Sequence, residues 1–139
     1  MKKLDIPFIL GKHYELWEFD LEVVQDSIQG CESYIYIGKR FNKFLNYPTD
    51  RTELIFSFDI LEIIIITFQN RYSMYEELCN LISEKLKCSP EVVLKDNLLM
   101  SRFTTKTNEV WCVKNNSNIF VIIVKASYPE DVIYKLLEY

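Results

Sequence analysis

The chain has 139 residues, a net charge of −4 and 49% apolar residues. That length supports one domain, residues 1–139, with a core that needs no disulfide or metal staple. Three glycines exclude a glycine-rich phosphate loop, four prolines argue against long linkers, and the acidic balance weighs against nucleic-acid binding.

The N-terminus begins Met1-Lys2-Lys3, like a signal peptide, but Asp5 and Pro7 break the apolar segment and Lys12 follows. The most apolar run, residues 60–68, contains Glu62 and is too short to span a bilayer. A cytoplasmic protein without a membrane partner is the expectation.

Between Lys12 and Lys39 lie six acids, Glu15, Glu18, Asp20, Glu22, Asp26 and Glu32, and no lysine or arginine. This stretch carries −6 of a net −4, leaving +2 elsewhere. Residues 13–20 read as a strand of imperfect alternation, with Tyr14 and Leu16 on one face and Trp17 and Phe19 on the other. Asp20 can then cap a short helix over 21–29. Leu21, Val24 and Ile28 would face inward, Glu22 and Asp26 outward, and Gly30 suits the stop. A strand continuing through Val23 and Val24 is the competing reading.

Residues 34–37 form a short strand, and residues 46–50 a turn. Residues 53–68 are dense in β-branched and aromatic side chains, including Ile63, Ile64, Ile65 and Ile66. Two strands, 53–58 and 60–68, or one long bent strand follow, in a central position covered on both faces.

Ser73 and Glu76 have capping-box spacing. The helix they open runs to about Lys87, with Tyr75, Leu78, Cys79, Ile82 and Leu86 as its apolar stripe. Ser89-Pro90 fits a second, short helix to about Lys95. Residues 98–104, 109–114 and 119–125 read as strands, the last two joined at Asn115-Asn116-Ser117-Asn118 because asparagine tolerates positive φ. Ser127 and Glu130 open a final helix to about Leu137. The order predicts an α+β fold: a mostly antiparallel sheet with two or three helices packed on one face.

No catalytic, cofactor or metal signature stands out. Cys31, Cys79, Cys88 and Cys112 lack CxxC spacing and read as reduced, buried thiols. His13, the single histidine, could serve a cysteine as base, but no motif supports that pairing. Glu15 and Glu18 would diverge on a strand, which weakens paired-carboxylate catalysis. The basic, aromatic stretch from Lys39 to Arg51 reads as a solvated loop. The acidic stretch is either a solubilising face or a docking surface for a basic partner. In the second reading Glu15, Glu18, Asp20, Glu22 and Asp26 steer, and Trp17 and Tyr14 either anchor or belong to the core.

A small acidic α+β chain, rich in Ile, Asn, Lys, Phe and Tyr and presenting His13-Tyr14-Glu15-Leu16-Trp17-Glu18-Phe19-Asp20, resembles the immunity proteins of bacterial polymorphic toxin systems. The resemblance lies in whole-chain character and not in a motif, so it assigns no residues. It implies a non-catalytic protein that binds and blocks a basic toxin domain, using no cofactor. The alternatives are a subunit that self-associates through residues 60–68 as an exposed edge, and a small enzyme using His13 with a cysteine.

Overall fold

The computed structural model describes residues 2–126 and 128–137. In chain order the strands are β1 (Leu21–Val24), β2 (Glu32–Tyr36), β3 (Lys43–Phe44), β4 (Tyr47–Pro48), β5 (Arg51–Ser57) and β6 (Ile60–Gln69). After helix α1 (Met74–Leu86) come β7 (Glu91–Lys95), β8 (Leu98–Thr104), β9 (Asn108–Lys114) and β10 (Asn118–Lys125), then helix α2 (Glu130–Leu136).

Eight strands form one sheet in the order β1-β2-β5-β6-β10-β9-β8-β7, with every neighbouring pair antiparallel. Two four-stranded meanders therefore meet where β6 pairs with β10, and β3–β4 is a small separate hairpin. The meeting register sets Ile64 opposite Ile123 and Ile66 opposite Val121. All four isoleucines from Ile63 to Ile66 are buried, as a central strand covered on both faces requires. β6 is thus interior, paired on both sides, and not the exposed edge of the self-association reading.

Strand alternation divides the core in two. On one face Leu54, Phe56, Ile64, Ile66, Phe68, Cys112, Val121 and Ile123 meet α1 through Met74, Tyr75, Leu78, Ile82 and Leu86. Leu4, Phe8, Trp17, Phe41 and Phe44 extend that cluster. On the other face Ile55, Ile63, Ile65, Trp111, Ile122 and Val124 meet α2 through Ile133 and Leu136. The helices therefore lie on opposite faces, not on one. An eight-stranded sheet with isoleucine on both sides needs cover on both.

Several local expectations fail for identifiable reasons. Residues 13–20 are not a strand. After a single bridge from His13 to Ile60 they wind into two 3-10 turns, Tyr14–Leu16 and Glu18–Asp20. The segment satisfies its own backbone, with Trp17 N–H donating to Tyr14 O at 2.9 Å and Asp20 N–H to Trp17 O at 2.8 Å. Residues 21–24 follow the competing strand reading and not the helix, since β1 gains ladder bonds to β2 that a short isolated helix could not match. Residues 91–95 are strand as well: the β-branched pair Val92-Val93 outweighs the helix-start signal of Pro90. Asp96, with φ of 54°, makes the tight turn into β8.

Ser73 precedes α1 in the left-handed region and makes no side-chain cap hydrogen bond, so the capping box does not form. At α2, Ser127 lies outside the described residues and Pro129 holds the N-cap position. The β9–β10 turn forms where expected but by a different device. The Asn115 Oδ1 atom accepts from the N–H groups of Ser117 at 2.9 Å and Asn118 at 2.7 Å, an Asx-type turn.

Candidate functional site

The two-residue turn between β5 and β6 is made by Phe58 and Asp59, with φ of 50° and 65°. Such hairpin turns favour glycine and asparagine, because a Cβ crowds the backbone when φ is positive. Residues 11–14 run alongside this tip. Gly11 N–H donates to Leu61 O at 2.8 Å, Leu61 N–H to Lys12 O at 2.9 Å and Tyr14 N–H to Asp59 O at 2.8 Å. The 3-10 turns that follow are thereby held against the hairpin. Beneath them Trp17, 4% exposed, meets Phe8 and Phe56 at ring-centroid distances of 5.9 and 6.3 Å. Tyr14 packs edge-on to Phe56 and stacks on Tyr34 at 6.5 Å.

Four carboxylates gather around these tyrosines. The charge of Glu18, which also accepts a hydrogen bond from Tyr14, is the main cause raising the Tyr14 hydroxyl above its ordinary value; burial, Asp59 and Glu15 add to it. Burial is the main cause raising Tyr34, followed by Glu32, which accepts the Tyr34 hydroxyl at 3.1 Å. His13 lies between Glu15 and Asp59, 3.9 Å from each carboxylate, and its Nδ1 atom accepts from Glu15 N–H at 3.3 Å. Next in sequence to Glu15, Glu18 and Asp59 are three exposed large apolar side chains: Leu16 at 59% exposure, Phe19 at 92% and Phe58 at 93%. The result is an acidic segment and hairpin tip that also carry exposed apolar side chains.

Of the residues singled out from sequence, Glu15 and Glu18 belong to this surface. Trp17 does not: it is core, fixed by Phe8 and Phe56, and cannot be an exposed anchor. Asp20 sits where the segment joins the sheet, its carbonyl accepting from Ile37 N–H at 2.8 Å. Glu22 lies on β1 opposite Ile35, and Asp26 lies in the following loop, where its Oδ1 atom accepts from Ser33 N–H at 3.3 Å. With no helix over 21–29, Glu22 and Asp26 share no helical face.

Sequence reasoning missed Phe58, Asp59, Glu32, Leu16 and Phe19 as members of the surface. A signal existed for Phe58 and Asp59: an aromatic residue occupying a two-residue turn between two strong strands is out of place unless it is used.

The environment of His13 is carboxylates and Tyr14. Cys79 and Cys112 instead hydrogen-bond to each other, beside Ser101 and Tyr75. Among the described residues no group of three or more His, Cys, Asp or Glu side chains could hold a metal ion, and no helix is long and apolar enough to cross a membrane. No protein-family model matches the sequence, and no curated protein or solved structure gives a significant match.

Proposed function

We propose that this chain is a non-catalytic, cytoplasmic binding protein of the immunity type, which neutralises a basic toxin domain by direct contact through the surface around the β5–β6 tip. Phe58 carries this reading. A bulky residue in the left-handed region costs on the order of 1 kcal/mol, and burial of its own ring does not offset that cost, because Phe58 is 93% exposed. Strain combined with exposure is what a contact residue shows before its partner arrives. Glu15, Glu18, Glu32 and Asp59 supply the complementary charge, steering a cationic partner toward Phe58, Phe19 and Leu16.

The test is protection of cells that express a basic C-terminal toxin domain taken from the reading frame next to this gene; a neighbourhood with no such domain also defeats the proposal. Co-expression of the wild type rescues growth on this reading. A variant combining Phe58→Ala, Glu15→Lys and Glu18→Lys folds but fails to rescue. Equal rescue by both proteins defeats the proposal.

A further inference from the structure

We propose that the edge strand β7 pairs with β7 of a second copy of this chain, joining two eight-stranded sheets about a twofold axis at Val93. β7 has one neighbour, β8, and ends the sheet. An edge strand leaves a row of backbone N–H and C=O groups unpaired, and proteins commonly blunt such edges with proline, a bulge or a central charge. Residues 91–95 (EVVLK) contain no proline, their register with β8 is unbroken, and their charges, Glu91 and Lys95, stand only at the two ends. Val92 and Leu94 stand on the same side of the strand at 64% and 77% exposure.

The sequence of β7 is complementary to itself. In an antiparallel pair centred on Val93, Glu91 faces Lys95 of the second copy, Lys95 faces its Glu91, and Val92 faces its Leu94. Both ion pairs fall on the α2 side of the sheet, and both apolar pairs fall on the α1 side. The ion pairs extend an alternation already present. Glu109 accepts from Arg102 Nε at 3.1 Å, and Arg102 stands opposite Glu91 in the β7–β8 register. Lys95 of the second copy is the next charge in that row. Lys95 is also held in place, its Nζ atom 3.7 Å from the Tyr134 ring centroid.

The opposite edge, β1, lacks this property. Self-pairing of its LEVV sequence would set Glu22 against Val23, with no opposite charge. A second copy therefore fits β7 and not β1. A five-residue strand buries less than the roughly 1,200 Å² of a stable interface, so association should be weak, with a dissociation constant on the order of 100 μM. β7 lies four strand spacings from β6, roughly 19 Å, so the β5–β6 tip stays clear. The dimer and the toxin-binding surface stand or fall separately.

Sedimentation equilibrium of the full chain up to about 1 mM tests this. The apparent mass should climb with concentration from 16.6 kDa toward twice that value. Glu91→Lys and Lys95→Glu each set like charges opposite one another at two symmetric positions. Each should weaken self-association about tenfold or more. An equimolar mixture of the two restores both ion pairs and should associate at least as tightly as the wild type. Leu94→Lys, at an exposed position, removes the apolar contact without touching the charge row and should also weaken association. The proposal is overturned by a chain that stays monomeric to about 1 mM. It is equally overturned if the β7 variants self-associate as the wild type does, or if the mixture is no better than its parts.

Discussion

Replacing Phe58 by asparagine should make the free protein more stable. Phe58 sits at φ of 50°, and Asp59 follows at 65°, so both central turn positions are left-handed. A bulky residue pays roughly 1–2 kcal/mol for that conformation, whereas asparagine adopts it readily. The ring is 93% exposed, so removing it forfeits almost no burial. The expected net gain is about 1 kcal/mol. For 139 residues the entropy of unfolding is about 0.3 kcal/mol/K, so the thermal midpoint should rise by about 3 °C. Differential scanning calorimetry of wild type and Phe58→Asn measures both numbers. The same substitution should weaken partner binding by about 1–3 kcal/mol, since it deletes an aromatic anchor. A stability gain joined to a binding loss is the mark of strain kept for function. A variant no more stable than the wild type would refute the strain argument, because no lost contact could explain the shortfall.

Three further outcomes follow from particular contacts. Arg102→Met should destabilise the fold by about 3 kcal/mol in urea titrations, because Glu109 is 2% exposed and would keep a buried charge with no cation beside it, only the Trp111 Nε1–H donating at 3.3 Å. Adding Glu109→Gln should recover most of that loss; a double variant as unstable as the single would show that packing, not charge, is responsible. Cys79, half-buried on α1, has its thiol lowered to about 7, chiefly by a hydrogen bond from Cys112. Its alkylation should accelerate through neutral pH and level off by about pH 8, while an unperturbed thiol would still be climbing there; a rate still rising at about pH 9 contradicts the hydrogen-bonded pair. Phe56→Ala, only two residues from Phe58 but fully packed, should cost about 3–5 kcal/mol, so two phenylalanines at adjacent ends of one hairpin should shift stability in opposite directions.

The sheet was legible wherever burial dominates the choice of residue. Residues 53–57, 60–69, 98–104 and 118–125 are rich in β-branched and aromatic side chains, and α1 shows a clean stripe through Tyr75, Leu78, Ile82 and Leu86. A single sheet-rich fold with two helices followed from that contrast; it is mainly β, only roughly the α+β class expected, and α2 lies on the opposite face because the isoleucines on that side also needed cover. Residues 13–29 were not legible. Acids and aromatics alternate there without a clean period, and local 3-10 bonds to the carbonyls of His13, Tyr14 and Trp17 settle the conformation. That ambiguity leaves Trp17 open between anchor and core, of which the structure shows core, and puts Glu22 and Asp26 on a helix that does not form. The candidate surface itself joins residues some 40 positions apart, Glu15 and Glu18 with Phe58 and Asp59. Only the antiparallel run of residues 11–14 along the hairpin brings them together.

The central claim, that this surface captures a cationic protein, is tested most directly by association kinetics against salt. On the proposed function the partner is a basic toxin domain from a neighbouring reading frame, and that domain is the probe, measured with wild type and with the double variant Glu15→Lys/Glu18→Lys. The wild type should associate fast, at a rate that falls steeply as salt rises. The double variant should associate about ten- to a hundred-fold more slowly at low salt, with a much shallower salt slope. Equal association rates and equal salt slopes for the two proteins would contradict the claim.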